Sequence, residues 1–254
     1  MNLKCLAEIA GAYRSGSQIA GAVTEEWCAQ EMYCPACDCD RLTQSRANTP
    51  AFDFVCPRCG QFFQLKSSKS WNLKKIVDAG YEAMIRAIRA DKTPNLLVLH
   101  YSPEWAVANL LLVPRMFFTE SVIEKRKPLS PTARRSGWVG CNILLREIPQ
   151  DGKISVVSYG SALPSRAVRA EFSRVRKLSQ LPPKMRGWTV DLLKIIRRLE
   201  KPRFTLAEVY AFESELRASH PKNQHIRPKI RQQLQILRDL GLVSFDEPGI
   251  YGIR

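Results

Sequence analysis

Three residues in the first quarter of the chain have types and spacing that could hydrolyse a phosphodiester. Asp53 lies in the run Ala51-Phe52-Asp53-Phe54-Val55, and Gln64 and Lys66 lie in Gln61-Phe62-Phe63-Gln64-Leu65-Lys66. Side chains alternate across an extended strand, so Gln64 and Lys66 project together while Phe63 and Leu65 face the other way. Asp53 likewise opposes Phe52 and Phe54. A carboxylate and a second hard oxygen ligand can hold Mg2+ and still leave positions for water and a phosphate oxygen. The lysine at 66 would orient or deprotonate the attacking water, or offset charge growing on the phosphorane. An exposed hairpin with a solvated lysine would show the same residues, so their setting has to decide.

That setting contains a metal motif. Cys34-Pro35-Ala36-Cys37 and Cys56-Pro57-Arg58-Cys59 are two CxxC knuckles with 18 residues between them, the spacing of a four-cysteine structural zinc site. Four thiolates close a tetrahedral Zn2+ shell and leave no open position, so the ion is expected to be a staple and not the reactive metal. A redox pair or an iron–sulfur cluster is the other reading, and the first needs a thioredoxin-like context that the sequence lacks. Cys39 is near enough to compete, but its Cys-x-Cys spacing fits less well. Cys5, Cys28 and Cys141 read as small core hydrophobes. The second knuckle occupies the bend between the two Phe-rich runs. A staple there would set their register and bring Asp53 beside Gln64 and Lys66.

Composition narrows the partner. Among 254 residues, 39 Lys and Arg face 24 Asp and Glu, a formal charge of +15, which implies a polyanion such as a phosphate backbone. A hydrophobic share of 45% with 25% charged residues is globular, not disordered. No run of about eighteen apolar residues exists to span a membrane. The start, Met1-Asn2-Leu3-Lys4-Cys5-Leu6, lacks the apolar region of a signal peptide. The expected compartment is therefore the cytoplasm, where eight reduced cysteines argue for metal ligation before disulfides.

The elements that must position these groups can be read in outline. Residues 1–33 read as one or two helices, and Trp71 to about Ala90 reads as another, with Ile76, Gly80, Ala83, Met84, Ala87 and Ile88 on one face. Leu96–Tyr101, Asn109–Val113, Val139–Leu145 and Ile154–Tyr159 read as strands. A basic segment from Glu124 to Asn142 holds Arg134, Arg135 and Trp138, with Gly137 and Gly140 flanking the tryptophan. Such glycines suit a close approach to a ligand, although a solvated loop around one packed tryptophan would look alike.

The run Leu178-Ser179-Gln180-Leu181-Pro182-Pro183 reads as a linker. Beyond it, three compact helices and a hairpin are expected. Thr189 is an N-cap candidate with Trp188 and Leu193 as its staple, and Thr205-Leu206-Ala207-Glu208 is a capping box stapled by Phe204 and Val209. A third helix from about Gln224 to Leu240 stops at Gly241 and buries Ile226, Ile230, Leu234, Leu237 and Leu240. Arg231, Gln232 and Gln235 then point towards a groove, where glutamine can read adenine and arginine can read guanine or phosphate. The tail from Leu242 to Ile253 reads as a wing. Lys and Arg outnumber Asp and Glu 14 to 8 over residues 184–254, which favours DNA over a protein partner.

Most of the chain resembles the DpnI family of restriction endonucleases. The resemblance rests on Tyr33-Cys34-Pro35-Ala36-Cys37, on Arg126-Lys127-Pro128-Leu129-Ser130-Pro131-Thr132-Ala133-Arg134-Arg135 with Gly137-Trp138, on Arg186-Gly187-Trp188-Thr189, and on Ile230-Arg231-Gln232-Gln233-Leu234-Gln235-Ile236-Leu237-Arg238-Asp239. It implies an α/β fold: a PD-(D/E)xK restriction-endonuclease-like core with an inserted four-cysteine zinc module over residues 1–182, then a winged helix over 183–254. It also implies Mg2+-dependent double-strand cutting at GATC carrying N6-methyladenine, with Asp53 and Lys66 in the catalytic places. Asp53, Gln64 and the Leu65 carbonyl would hold the Mg2+. Arg134, Arg135, Trp138, Arg186, Trp188, Arg231, Gln232 and Gln235 are the expected DNA contacts. Where the family pattern has Glu, this chain has Gln64, which keeps an oxygen ligand and loses a charge. The expected setting is a monomer on double-stranded DNA in a bacterial cytoplasm. The competing class is a zinc-ribbon, winged-helix DNA-binding regulator without catalysis.

Overall fold

A computed structural model describes residues 1–46, Thr49 and 51–254; Pro50, just before the Ala51–Val55 run, lies outside the described residues. In chain order the strands are β1 (Thr43–Gln44), β2 (Phe54–Val55), β3 (Phe62–Ser68), β4 (Ile76–Gly80), β5 (Asn95–Tyr101), β6 (Val107–Val113), β7 (Ile123–Lys125), β8 (Gly140–Ile143), β9 (Ile154–Ser158), β10 (Ser161–Ala162), β11 (Arg203–Thr205), β12 (Val243–Glu247) and β13 (Ile250–Ile253). The α-helices are α1 (Gly16–Glu31), α2 (Tyr81–Arg89), α3 (Ser165–Arg176), α4 (Pro183–Arg198), α5 (Leu206–Tyr210), α6 (Glu213–Ser219) and α7 (Ile226–Asp239). The chain is mixed α/β, as expected, and no described helix is long and apolar enough to cross a membrane.

One compact unit comprises Met1–Asn72, Thr93–Arg115 and Asp151–Ser173. Its seven-stranded sheet runs in the order β1-β2-β3-β5-β6-β9-β10. Strands β3 and β5 are parallel, with Lys66 opposite Val98, and the other neighbours are antiparallel. Strand β5 is almost continuously apolar, and Leu96, Leu97, Val98 and Leu99 are all buried, as a strand covered on both faces should be. Val23 and Trp27 of α1 and Val168 and Phe172 of α3 belong to the same core. Ser15 caps α1 by accepting the Gln18 amide. Thr24 ties the helix to the sheet through a 3.0 Å hydrogen bond to Ser67.

The second compact unit comprises Leu73–Lys92, Met116–Gln150 and Arg174–Arg254. It contains a three-stranded sheet, β4-β8-β7, and a second one, β11-β13-β12, beside helices α4 to α7. The helix expected from Trp71 begins only at Tyr81. Ile76–Gly80 is a strand that pairs with β8, buries Asp78 between exposed neighbours, and passes straight into α2 at Gly80. Apolar residues on both sides of that junction imitate one helical stripe. Thr189 is likewise mid-helix. Pro183 starts α4, where the missing amide of a first-turn proline costs nothing, and the Thr189 hydroxyl donates to the Met185 carbonyl at 3.0 Å and to Gln233 at 2.6 Å. The Thr205–Glu208 capping box forms as read, with Phe204 and Val209 buried beside it. Helix α7 ends before Gly241, whose φ of +78° is the left-handed stop that the sequence suggested.

Candidate active site and nucleic-acid interface

The Cys56–Cys59 knuckle links β2 directly to β3. The Cys56 amide donates to the Gln61 carbonyl at 2.9 Å, and the Gly60 amide donates back to the Cys56 carbonyl at 3.0 Å. The Sγ atoms of Cys34, Cys37, Cys56 and Cys59 all lie within 4.8 Å of one another. Cys34 and Cys59 are 3.6 Å apart, as are Cys37 and Cys56. A tetrahedral ion with metal–sulfur bonds of about 2.3 Å needs sulfurs about 3.8 Å apart, so these four fit a metal such as zinc. The knuckle also activates one of its own thiols and not the other, since burial holds Cys59 up at about 11. Burial opposes ionisation of Cys56, yet the amides of Cys59 and Arg58 pull its pKa down to about 6. Cys39 stands apart and donates to the Arg41 carbonyl.

One residue that the sequence reading missed secures this module. The Arg169 guanidinium donates to the carbonyls of Cys34 and Cys39, both at 3.1 Å, and sits 5.1 Å from the Tyr33 ring. Its contacts lie 135 and 130 residues away in the chain, beyond the reach of any local pattern.

Asp53 stands just before β2, where the ladder to β3 becomes irregular. Phe54 pairs with Phe63, but the Asp53 amide donates to the Phe63 carbonyl. The Leu65 amide turns to the Asp53 side chain instead, reaching Oδ2 at 2.7 Å. A carboxylate is thereby fixed against the residue between Gln64 and Lys66, and all three side chains are half-buried. The neighbouring rings of Phe52 and Phe62 pack at 4.3 Å. A carboxylate, an amide oxygen and backbone carbonyls are the hard donors that a divalent cation such as Mg2+ takes, so the donor set here suits one.

A second carboxylate lies close by. Glu25 of α1 accepts from the Gln44 side chain at 3.1 Å, and the next residue, Ser45, donates its amide to the Asp53 carbonyl at 2.8 Å. Burial, and then the charge of Asp53, holds the Glu25 carboxyl above the ordinary carboxylate range, while the Gln44 amide pulls it back. The fully buried thiol of Cys28, one turn along α1, is pushed up by burial and then by Asp53 and Glu25. Nothing in the spacing of residues 16–31 marks Glu25, since its partners are Gln44 of β1 and Asp53 just before β2.

In the second unit, the segment after β7 folds back on itself. Arg126 donates to the Gly140 carbonyl at 3.0 Å, Leu129 to the Trp138 carbonyl at 3.0 Å, and Gly137 to the Leu129 carbonyl at 3.3 Å. The half-buried Trp138 ring lies on two glycines. A Cβ on Gly140 would meet it at 2.9 Å and one on Gly80 at 3.5 Å, so glycine at position 140 is what lets the ring lie there. The guanidinium of Arg135 sits 4.7 Å from the same ring, and Arg134 and Arg135 are exposed. A half-covered aromatic face beside two exposed cations is a chemically sensible base-stacking surface.

On α7, Arg231, Gln232 and Gln235 are exposed on one side while Ile226, Ile230, Leu234 and Leu237 are buried on the other. Two expected DNA contacts lie inside this unit. Arg186 is 1% exposed and paired with Asp91, and Trp188 is 4% exposed and stacked on His220 at 3.8 Å. His220 continues the network to Asp191, which accepts from Ser121 at 2.7 Å. A buried arginine is retained by its ion partner, and removing Asp91 would strand the Arg186 charge in the interior. These side chains hold α4 to its surroundings, and the exposed polar and aromatic chemistry of this unit is left to α7 and the Trp138 segment.

Comparison with protein families follows the same division. The model of the Dam-replacing family, DpnI, matches residues 1–181, and the model of the Dam-replacing HTH domain matches residues 184–252.

Proposed function

This chain belongs to the DpnI, Dam-replacing family of restriction endonucleases, and from that premise we propose that it is a methyl-directed type II enzyme that makes Mg2+-dependent double-strand cuts at GATC containing N6-methyladenine. The observation that carries the reading is the bond from the Leu65 amide to the Asp53 carboxylate, which sets an acid against the Gln64-Leu65-Lys66 step of β3. On this reading, residues 1–182 form a PD-(D/E)xK nuclease and residues 183–254 its winged helix. Zinc is the resident ion of the four cysteines.

Asp53, Gln64 and the Leu65 carbonyl would hold Mg2+, which supplies a Lewis acid for the scissile phosphate and lowers the pKa of a bound water. Asp53 is held in place by the Leu65 amide, so its carboxylate is oriented before substrate arrives. Lys66, on the Gln64 side of the strand, orients the attacking water as an ammonium or takes its proton as the neutral amine. Its charge also favours the extra negative charge of the pentacoordinate phosphorus.

Specificity has a hard energetic limit. Burying one methyl is worth about 0.8 kcal/mol, and a snug pocket reaches roughly 1–3 kcal/mol, some 10–200-fold. Unmethylated adenine is the smaller substrate, so no clash can reject it. Two readers would multiply the discrimination, and two candidates exist: the Arg134–Trp138 segment, and α7 with Arg231, Gln232 and Gln235. A monomer working in a bacterial cytoplasm completes the proposal. The test is to incubate methylated and unmethylated plasmids with the protein and Mg2+ and to sequence the ends. Ends at methylated GATC alone support the reading. Tight binding without cutting supports a regulator, and cutting elsewhere assigns a different methylated site.

A further inference from the structure

The reading of Asp53 as a cation ligand leaves a deficit. One carboxylate and one amide give the site a single negative charge, whereas a divalent cation competing with water is best held by two. The deficit comes from Gln64, where the family pattern has a carboxylate. Geometry offers a second source on a different element.

Glu25 projects from α1 to the edge of the sheet where Asp53 sits. Its Oε2 accepts from Gln44 Nε2 at 3.1 Å. Gln44 is in register with Phe54, and Ser45 holds the Asp53 carbonyl at 2.8 Å. The Leu65 amide holds the Asp53 carboxylate at 2.7 Å. Adjacent residues thus hold the Glu25 carboxylate, through the Gln44 side chain, and the Asp53 backbone, through the Ser45 amide, and the helix carrying Glu25 is pinned to β3 by Thr24 and Ser67 at 3.0 Å. Both acids are half-buried. Paired carboxylates in such a place repel each other, and the repulsion is relieved when a cation stands between them.

We propose that Glu25 supplies the second carboxylate of the cation site at Asp53, giving back the negative charge that Gln64 lacks. The inference rests on the nuclease reading and deepens it. Glu25 is then a catalytic residue, facing the metal directly or through one of its waters. Gln44 is a positioning residue that aims the Glu25 carboxylate by donating to the oxygen turned away from the ion.

The test uses the full, zinc-loaded chain and two readouts, Mn2+ binding by calorimetry and the Mg2+ dependence of cutting on methylated DNA. Four proteins are compared: wild type, Asp53→Asn, Glu25→Gln, and Glu25→Gln combined with Gln64→Glu. Loss of a charge facing the metal should weaken Mn2+ binding about 10–100-fold in Glu25→Gln and raise the Mg2+ midpoint by a similar factor. Restoring a carboxylate at position 64 should recover most of both losses, which a purely structural role for Glu25 would not allow. Mn2+ binding by Glu25→Gln equal to wild type, while Asp53→Asn binds poorly, overturns the role of Glu25 and leaves the nuclease site standing. Equal binding by Asp53→Asn and wild type overturns the site itself, and the inference with it.

Discussion

The Asp53 carboxylate and the Leu65 amide meet at 2.7 Å, a contact that replaces a rung of the β2–β3 ladder with a side-chain bond. The ladder is interrupted where an acid must stand next to Gln64 and Lys66. The thiol knuckle a few residues away holds the same hairpin closed, so the interruption does not let the two strands part. Staple and interrupted ladder together make the site sensitive to the metal that closes the knuckle.

Metal removal is therefore the first test. The purified protein should carry one zinc per chain by elemental analysis. Stripping it with a strong chelator should remove hydrogen-exchange protection from the amides of Cys56, Gly60 and Leu65 and should abolish cutting. A zinc-free protein that still cuts at full rate would contradict the staple.

The glycine under Trp138 provides the second. Gly140→Ala puts a Cβ 2.9 Å from the ring, and overpacking of that kind costs about 1–3 kcal/mol unless the ring moves. The ring should move. The variant should stay folded but discriminate methylated from unmethylated plasmid at least several-fold less well, as Trp138→Ala should. Unchanged discrimination in both would remove this segment from methyl reading.

Arg231 on the open face of α7 gives the third. Arg231→Ala should weaken DNA binding and reduce the slope of log affinity against log salt by about 1 if it meets a phosphate. Affinity and slope equal to wild type would place the recognition surface elsewhere. Arg186→Ala should instead lower the melting temperature, since it leaves Asp91 without its buried partner.

Acid sensitivity of the C-terminal helical unit gives the fourth. Lys201, then the Thr205 amide and hydroxyl, hold the Glu208 pKa at about 2 against an ordinary 4.5. A carboxylate depressed in the folded state contributes stability that is full above its unfolded pKa and is lost as pH falls through the folded one. Melting curves should show Glu208→Gln less stable than wild type at pH 6, with the gap narrowing as pH falls below the ordinary value of 4.5 and closing only as it passes below about 2. A gap independent of pH would mean that the capping box acts without its charge.

The sequence and the structure agree where the determinants are local. Two CxxC knuckles, a Thr205–Glu208 box and a Gly241 stop are each set by neighbours within a few residues, and each forms. Strand β5 was legible because only a doubly covered strand is apolar for so long. Ile76–Gly80 was not, because a five-residue strand running into a helix leaves apolar residues at spacings that imitate a single stripe. Arg186 and Trp188 looked like DNA contacts by type. What buries them is Asp91 and His220, 95 and 32 residues away in sequence. Glu25 and Arg169 were invisible for the same reason, since each takes its meaning from partners on other elements.

Lys66 carries the sharpest test. DNA binding and cutting should be measured side by side for wild type and Lys66→Ala, on plasmid methylated at GATC, with Mg2+ present. The account predicts affinity within a few-fold of wild type and cutting reduced by at least about 100-fold, since general acid–base and charge-stabilising groups each contribute on that scale. Lys66→Ala that cuts methylated DNA at the wild-type rate would contradict it.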